Sequence, residues 1–247
     1  MIKVLGVIPS RYGSTRLPAK ALVRINGTPL VELVWERARE AKCLDELLVA
    51  TDDERIAQVV RKFGGTPVMT PSSLPSGTDR VWEAAKRTSA EIIVNIQGDE
   101  PLVTGKMVDL LVDQMQAHPE VECATLRFPM KSSEGYAQDS VVKVVADQQG
   151  WALYFSRSPI PALKASQTHP ALWYKHLGLY GYRRKLLEQF VGWPPSDLEK
   201  TEGLEQLRFL EHGVRIKLVD SPGDTIGVDT AEDVARVQKI LQESGSS

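Results

Sequence analysis

Short apolar runs recur through the first hundred residues of the chain. Residues 2–8, 46–51, 66–69 and 91–96 are each dominated by apolar side chains over the length of a single strand. Apolar character without polar alternation is typical of strands that are buried on both faces of a sheet. The pattern therefore predicts buried strands at these positions.

Between these runs, apolar residues repeat with the period of a helix. A stripe along residues 29–40 predicts one helix, with Pro29 in its first turn. A second helix is predicted for residues 53–63 with Asp52 as its cap, and a third begins at Ser76 or Thr78. The alternation predicts an α/β fold with a mostly parallel, doubly wound, Rossmann-like sheet and helices on both faces.

The middle of the chain has a different pattern. Its predicted strands have no long helices between them, and a polar, proline-bearing segment covers residues 159–170. We interpret this region as an antiparallel extension or lid. The predicted strands are residues 124–128, 141–145, 152–155, 177–182 and 214–219, and the predicted helices are 183–190, 201–212 and 231–243. We expect a single domain over residues 1–247, with a sugar-binding and dimerisation insertion at roughly 123–182.

Composition and charge narrow the possible classes of function. The chain has 247 residues, a formal net charge of -2 and two isolated cysteines, Cys43 and Cys123. This charge gives no overall attraction for nucleic acid, and isolated cysteines are typical of a reducing compartment. The amino-terminal apolar run is too short for a signal peptide, and no stretch approaches the ~20 apolar residues of a membrane span. We therefore expect a cytoplasmic enzyme without membrane insertion.

A cationic loop follows the first predicted strand. It carries Arg11, Arg16 and Lys20 among small residues that allow close backbone approach to a ligand. The carboxyl end of the first strand is where open α/β sheets bind phosphates. The loop has neither the Gly-Lys-Ser/Thr of a Walker A motif nor a Gly-x-Gly-x-x-Gly motif. It predicts a nucleotide that is held mainly by side-chain cations.

Two aspartates are candidate metal ligands. Asp99 follows a buried strand and the turn residue Gly98, at the same predicted sheet edge as the cationic loop. Carboxylate oxygens suit Mg2+ that also binds substrate phosphates, although Asp99 could equally cap a turn. Asp229 precedes a predicted helix, so its alternative role is an N-cap, with Glu232 or Asp233 completing a capping box. Together the two carboxylates predict a magnesium site.

Polar residues elsewhere suggest further binding positions. The turn Ser76-Gly77-Thr78 predicts either a helix cap or a backbone cradle for a base or phosphate. A second set could form a pocket for a polyhydroxylated acid, with Arg157 facing its carboxylate. This set is Arg157, His176, Tyr182, Glu205 and Gln206. Neither a zinc site nor a Gly-x-Ser-x-Gly nucleophile elbow is indicated.

Taken together, the motifs resemble the 3-deoxy-manno-octulosonate (Kdo) cytidylyltransferase family, also called CMP-Kdo synthetases. The loop Ile-Pro-Ser-Arg-Tyr-Gly-Ser-Thr-Arg-Leu-Pro-Ala-Lys by itself would indicate only a sugar nucleotidyltransferase. The segments His-Leu-Gly-Leu-Tyr-Gly-Tyr and Leu-Glu-Gln-Leu-Arg narrow the resemblance to the Kdo enzymes. The matching segments are residues 8–20, 50–52, 76–78, 94–101, 142–145, 152–157, 176–182, 204–208 and 227–230.

The resemblance implies a Mg2+-dependent homodimer that converts CTP and Kdo to CMP-Kdo and pyrophosphate for lipopolysaccharide synthesis. It assigns catalysis to Lys20, Arg11, Asp99 and Asp229, with the two aspartates as metal ligands. The implied nucleotide-binding residues are Pro9, Arg11, Arg16, Lys20, Ser76, Gly77, Thr78 and Asp99. The implied sugar-binding residues are Gln97, Arg157, His176, Tyr182, Glu205 and Gln206.

One departure and two alternatives accompany the resemblance. The family loop commonly reads Leu-Pro-Gly-Lys-Pro, whereas this chain has Ala19 and Ala21, so we expect a slightly different loop geometry. The first alternative is a CTP-dependent transferase for another acid sugar, of the amino-Kdo or sialic acid type. The second is a catalytically inactive nucleotide-binding regulator, which would not require both carboxylates together with Lys20.

Overall fold

The computed structural model describes residues 3–13, 17–130, 135–162 and 173–244. The chain divides into two compact units, which we call the first unit (Met1–Val112 and Thr225–Ser247) and the second unit (Asp113–Asp224). The predicted insertion at residues 123–182 lies within the second unit. Its dimerisation role and the single-domain assignment stay predictions.

The secondary-structure elements follow one another along the whole chain. The elements within residues 1–117 are β1 (Val4–Ser10), a 3-10 helix (Lys20–Leu22), β2 (Arg24–Ile25), β3 (Thr28–Pro29), α1 (Leu30–Ala38), β4 (Glu46–Thr51), α2 (Glu54–Lys62), β5 (Thr66–Met69), α3 (Gly77–Ala85), β6 (Ile92–Asn95) and α4 (Gly105–Ala117). The remaining elements are β7 (Cys123–Pro129), β8 (Lys143–Ala146), β9 (Ala152–Ser156), β10 (Tyr174–Arg183), α5 (Arg184–Phe190), α6 (Asp197–Glu202), α7 (Gln206–Glu211), β11 (Ile216–Asp220) and α8 (Ala231–Ser244).

The first unit contains a parallel sheet with the strand order β6-β1-β4-β5. The chain moves outward from β1 through β4 to β5 and then returns to the other side of β1 to form β6. A reversal of this kind opens a crevice at the carboxyl ends of the two central strands, which is where α/β sheets bind ligands. The parallel sheet predicted from the apolar runs is confirmed.

Burial explains why these segments form central strands. Val7 and Ile8 of β1 and the Ile92–Asn95 strand are almost completely buried, as expected for strands covered on both faces. Helix α2 turns Ile56, Ala57 and Val60 into the core and leaves its charged residues outside. The burial of these elements therefore fixes the position of the strands, and the candidate residues follow at the carboxyl edge of the sheet.

The second unit contains the antiparallel strands that the middle of the chain predicts. Strand β7 lies between β11, which is parallel to it, and β10, which is antiparallel. Strand β8 pairs with both β10 and β9 in antiparallel fashion. The antiparallel extension is confirmed as a set of strands, and its role as a lid stays a prediction.

Two details of the predicted elements are wrong, and one helix was not predicted. Asp53, not Asp52, caps α2, because the Asp53 carboxylate accepts the backbone N–H of Arg55 at 2.9 Å. The helix predicted over residues 201–212 is two helices, α6 and α7, because Gly203 adopts a left-handed conformation with φ 62° that ends α6. Helix α4 was not predicted. In the described part of the chain, no helix is long and apolar enough to cross a bilayer.

Candidate active site

The turn after β6 packs directly against the end of β1. A side chain at Gly98 could not be accommodated, since a Cβ there would lie 2.6 Å from the Pro9 carbonyl oxygen and 2.9 Å from the Ser10 Oγ. Glycine therefore permits the close approach of the two strand ends. The turn then presents Asp99 at the carboxyl edge of the sheet, as the sequence predicts.

Lys20 joins the two candidate metal ligands. Its Nζ donates to Asp99 Oδ2 at 2.5 Å and to Asp229 Oδ1 at 3.0 Å. The lysine side chain is 18% exposed and the two aspartate side chains 32% and 39%, so the cluster opens to solvent from the acidic side. Burial works to lower the pKa of Lys20, but the charges and hydrogen bonds of both carboxylates outweigh it and raise that pKa. Lys20 is therefore an ammonium at neutral pH.

The backbone before Lys20 takes an unusual conformation. Ala19 has φ 52° and ψ 35°, in the left-handed region that favours glycine. Alanine here adopts a conformation that a glycine would adopt without strain. The expected difference from the loop geometry of the family stays a prediction. The 3-10 helix that follows carries Lys20 towards the carboxylates.

Backbone contacts bring Asp229 to Asp99 although 130 positions separate them in the sequence. The N–H of Val228 donates to the Asp99 carbonyl at 2.8 Å. Asp233 performs the capping that the sequence left open, because its Oδ2 accepts from the N–H groups of Asp229 and Thr230 at 3.0 and 2.9 Å. The helix cap is therefore made by Thr230 and Asp233, and the Asp229 carboxylate lies at Lys20.

A buried ion pair supports the cationic loop. Arg80, which is 3% exposed, places its Nη2 at 3.2 Å from Asp52 Oδ2, and it also donates to Thr70 Oγ1. The other carboxylate oxygen of Asp52 accepts the N–H of Tyr12 at 3.1 Å. Sequence reasoning missed this pair, although Asp52 follows β4 at the same sheet edge as Asp99.

Arg11 is exposed and lines a cleft of about 390 Å³ together with Tyr12, Asp52 and Arg80. Burial lowers the pKa of Arg80, and the positive charge of Arg11 adds to that effect, while Asp52 opposes it. Asp53 also lines the cleft, which therefore combines two cations with two carboxylates that are already paired, Asp52 with Arg80 and Asp53 with Arg55. Arg16 lies outside the described residues.

The remaining nucleotide candidates lie at the start of α3. Ser76 caps this helix, because its Oγ accepts the N–H of Asp79 at 3.2 Å and donates to the Asp79 carboxylate at 2.6 Å. A Cβ at Gly77 would lie 3.7 Å from the Pro9 ring, so the two residues are near neighbours, and Thr78 is buried. The capping role predicted for this turn is confirmed, and the cradle role stays a prediction.

The donor set fits a hard divalent cation that is shared with a substrate. Two aspartate oxygens converge on a single positive charge, which shows that both can reach one cation. Among the described residues, no group of three or more His, Cys, Asp or Glu side chains could enclose a metal by itself. A cation held by Asp99 and Asp229 would take its other ligands from phosphate oxygens and water, as Mg2+ commonly does.

In the second unit, Arg157 is held by backbone carbonyls. Its Nε, Nη1 and Nη2 donate to the carbonyl oxygens of Glu202, Asp139 and Gly203 at 2.7, 2.9 and 3.4 Å. Its own N–H donates to the Glu202 carboxylate at 2.9 Å. Three of the five guanidinium N–H donors therefore point at the protein. The contact between Arg157 and a substrate carboxylate stays a prediction.

His176 and Tyr182 lie in a row of aromatic rings. His176 packs edge-on against Phe155 with ring centroids 5.0 Å apart, and its Nε2 lies 3.0 Å from Thr125 Oγ1. Burial, with a smaller contribution from the charge of Lys175, lowers the pKa of His176 to about 3. Tyr182 is buried and stacks on Phe209. The histidine is therefore neutral at physiological pH.

Gln206 and Glu205 occupy the start of α7, and Gln97 follows β6 in the first unit. Gln206 is 7% exposed, and its Nε2 has no hydrogen-bond partner within the described part of the chain. A buried amide without a partner is costly, and it is typical of groups that bind a ligand or water. Glu205 and Gln97 are half-buried.

Comparison with known proteins gives consistent matches over almost the whole chain. The profile of the family described as Cytidylyltransferase matches residues 5–216. A 3-deoxy-manno-octulosonate cytidylyltransferase from Syntrophobacter fumaroxidans is 47% identical over 245 residues, covering 98% of this chain and 98% of the relative. One from Geobacter sulfurreducens is 45% identical over 250 residues, covering 98% of this chain and all (100%) of the relative.

Solved structures give the same picture. The structure of CMP:2-keto-3-deoxy-manno-octonic acid synthetase complexed with CTP superposes with a TM-score of 0.93 at 40% identity, covering 98% of this chain and 99% of that one. A 4-diphosphocytidyl-2C-methyl-D-erythritol synthase from Anaerococcus prevotii has a TM-score of 0.64 at 13% identity, covering 98% of this chain and 99% of that one. The second likeness concerns the fold alone.

Proposed function

This chain belongs to the cytidylyltransferase family, and from that premise we propose that it transfers a cytidylyl group from CTP to Kdo and releases pyrophosphate. The observation that carries the proposal is the convergence of Lys20 with Asp99 and Asp229 at the carboxyl edge of the parallel sheet. Relatives named for this activity cover nearly the full chain at 45–47% identity, which supports the choice of substrates.

The reaction is a displacement at phosphorus. The anomeric hydroxyl oxygen of Kdo forms a bond to the α-phosphorus of CTP and gives up its proton to solvent water. The bond from that phosphorus to the bridging oxygen breaks, and pyrophosphate leaves with the electron pair. Negative charge grows on the phosphate oxygens during this step, so fixed positive groups stabilise the transition state more than the ground state. The chemistry requires no protein nucleophile.

Lys20, Arg11 and Arg16 are the cations proposed to hold the triphosphate. Lys20 lies at the cluster of acids, and Arg11 lines the cleft that also contains the Asp52–Arg80 pair. That pair holds the Tyr12 N–H and so fixes the backbone of the loop that carries Arg11. Pro9, Ser76, Gly77 and Thr78 are proposed to bind the nucleoside.

Mg2+ is the proposed cofactor, and Asp99 and Asp229 are its proposed protein ligands. When bound, Mg2+ supplies positive charge to the oxygens of the reacting phosphate and of the leaving group. The two carboxylates supply the hard oxygen atoms that this ion prefers, and they lie at the same edge as the cationic loop.

The acid sugar is proposed to bind Gln97, Arg157, His176, Tyr182, Glu205 and Gln206. The buried Nε2 of Gln206 supports a direct contact, because a sugar oxygen would satisfy an otherwise unpaired donor. The neutral His176 is suited to exchange hydrogen bonds with hydroxyl groups and not to neutralise a carboxylate. Use of CMP-Kdo in lipopolysaccharide synthesis, a cytoplasmic location and a homodimer complete the proposal.

A pyrophosphate-release assay with CTP, Kdo and Mg2+ tests this function. We expect release that depends on all three components and that falls when another nucleotide replaces CTP. Faster release with amino-Kdo or a sialic acid would favour the alternative acid-sugar transferase. Binding of CTP without release in the presence of any of these sugars would favour a nucleotide-binding regulator and contradict the proposal.

A further inference from the structure

The ammonium of Lys20 lies at the point where the two acidic side chains converge. Its Nζ is 2.5 Å from Asp99 Oδ2 and 3.0 Å from Asp229 Oδ1. These are the carboxylates assigned to the divalent cation, so the inference that follows rests on the proposed function. A cation bound through these same two oxygens would have to share them with Nζ.

We propose that Lys20 competes with the divalent cation for Asp99 and Asp229, so that the protein binds the cation tightly only when a nucleotide triphosphate draws Lys20 away. An ammonium and a dication that share two carboxylates repel each other at this range, and in a half-buried cluster water screens that repulsion only in part. The carboxylates therefore favour one positive group at a time.

The lysine can move while the backbone stays in place. Its ammonium is a compact charge on a flexible four-carbon stem, whereas Ala19 and the 3-10 helix Lys20–Leu22 fix the main chain. Phosphate oxygens give the ammonium new acceptors in exchange for the carboxylates. Lys20 thus has two alternative sets of partners, one within the protein and one on the nucleotide.

This arrangement makes cation and nucleotide binding cooperative. When a triphosphate takes Lys20, the two carboxylates lose their positive partner and their affinity for the cation rises. By linkage, the cation raises the affinity for the nucleotide by the same factor. Lys20 accordingly regulates cation binding as well as contacting the nucleotide.

Binding of Mn2+ without nucleotide, measured by the electron paramagnetic resonance signal of the unbound ion, tests the proposal. Lys20→Met removes the charge and retains most of the side-chain length, and Lys20→Gln removes the charge but retains a donor. We expect both variants to bind Mn2+ about tenfold more tightly than the unsubstituted protein, even though turnover falls. Lys20→Arg keeps a competing charge and should bind Mn2+ weakly.

Lys62→Met is the matched control. This exposed lysine is the last residue of α2, the helix that leads from the carboxyl end of β4 to the amino end of β5. Its substitution changes the net charge by the same amount as Lys20→Met and removes no contact with Asp99 or Asp229. Mn2+ affinity in this variant should stay unchanged. Thermal unfolding with and without Mn2+ checks the folded state of each variant, and Mn2+ should raise the midpoint most in Lys20→Met.

Unchanged or weaker Mn2+ binding by Lys20→Met and Lys20→Gln would overturn the competition. Adding Asp99→Asn or Asp229→Asn to Lys20→Met separates this result from a failure of the proposed function. If the double variants lose Mn2+ binding, the acids hold the cation whatever Lys20 does. If they retain it, the carboxylates are not the metal ligands, and both the inference and the metal assignment are wrong.

Discussion

Acidification should destabilise the protein through His176. The ring of this residue packs against Phe155 and Tyr180, with centroid distances of 5.0 and 5.3 Å, and burial lowers its pKa from 6.5 to about 3. The folded protein therefore keeps His176 neutral, whereas the unfolded chain protonates it as the pH falls below about 6.5. The contribution of the neutral His176 to the free energy of unfolding is therefore complete above about pH 6.5 and is lost as the pH falls from about 6.5 to about 3.

The size of the effect follows from the proton taken up on unfolding. One proton changes the free energy of unfolding by 1.36 kcal/mol per pH unit, so His176 contributes a loss of about 1.4 kcal/mol between pH 7.5 and 5.5. Urea unfolding at these two pH values, in the unsubstituted protein and in His176→Gln, measures that contribution. The variant should lose less stability on acidification by this amount.

His212→Gln serves as the control for this experiment. His212 is exposed and stacks on Trp193, with ring centroids 4.0 Å apart, so this variant makes the same substitution at an exposed ring. Its acid sensitivity is the reference for that of His176→Gln. Equal acid sensitivity in His176→Gln and in the unsubstituted protein would refute the reasoning, because it would mean that His176 can be protonated without unfolding.

Two further predictions concern the loop that carries the cations. Arg80→Met leaves the Asp52 carboxylate, which is only 13% exposed, without its ion-pair partner and should lower the free energy of unfolding by about 3 kcal/mol in urea titrations. An unchanged value would exclude a structural role for the pair. Ala19→Gly removes the left-handed strain at φ 52° and should raise the free energy of unfolding by about 1 kcal/mol, whereas Ala21→Gly within the 3-10 helix should lower it. Equal effects of the two glycine substitutions would contradict the assigned strain.

The strands of the first unit could be predicted because their apolar runs end sharply. The bounds of β4 and β5 agree with the runs at 46–51 and 66–69, and Asp99 lies at the carboxyl edge as expected. The sequence could not identify the capping residue where two adjacent residues have the same side chain. Asp52 and Asp53 are both good caps, and only the backbone shows which one accepts the helix N–H.

The parts of the site that could not be predicted depend on distant contacts. The pairing of Asp52 with Arg80 joins the end of β4 to a helix 28 positions later, and nothing in either segment specifies the partner. The capping alternative for Asp229 was decided by the distant end of the first helical turn, because Asp233 takes the cap. Metal binding by Asp229 stays a prediction. The carbonyl partners of Arg157 come from the end of α6 and from the segment before β8, so the sequence around Arg157 does not indicate them.

Turnover of Asp229→Asn is the most direct test of the account, which rests on Asp99, Asp229 and Lys20 acting on a triphosphate. Pyrophosphate release with CTP, Kdo and Mg2+ should fall about a hundredfold or more, while the circular dichroism spectrum stays that of the unsubstituted protein. The exposed Asp113→Asn, which removes the same charge on α4, should retain full turnover. Near-normal release by Asp229→Asn would contradict the assignment of this carboxylate to the reacting phosphates.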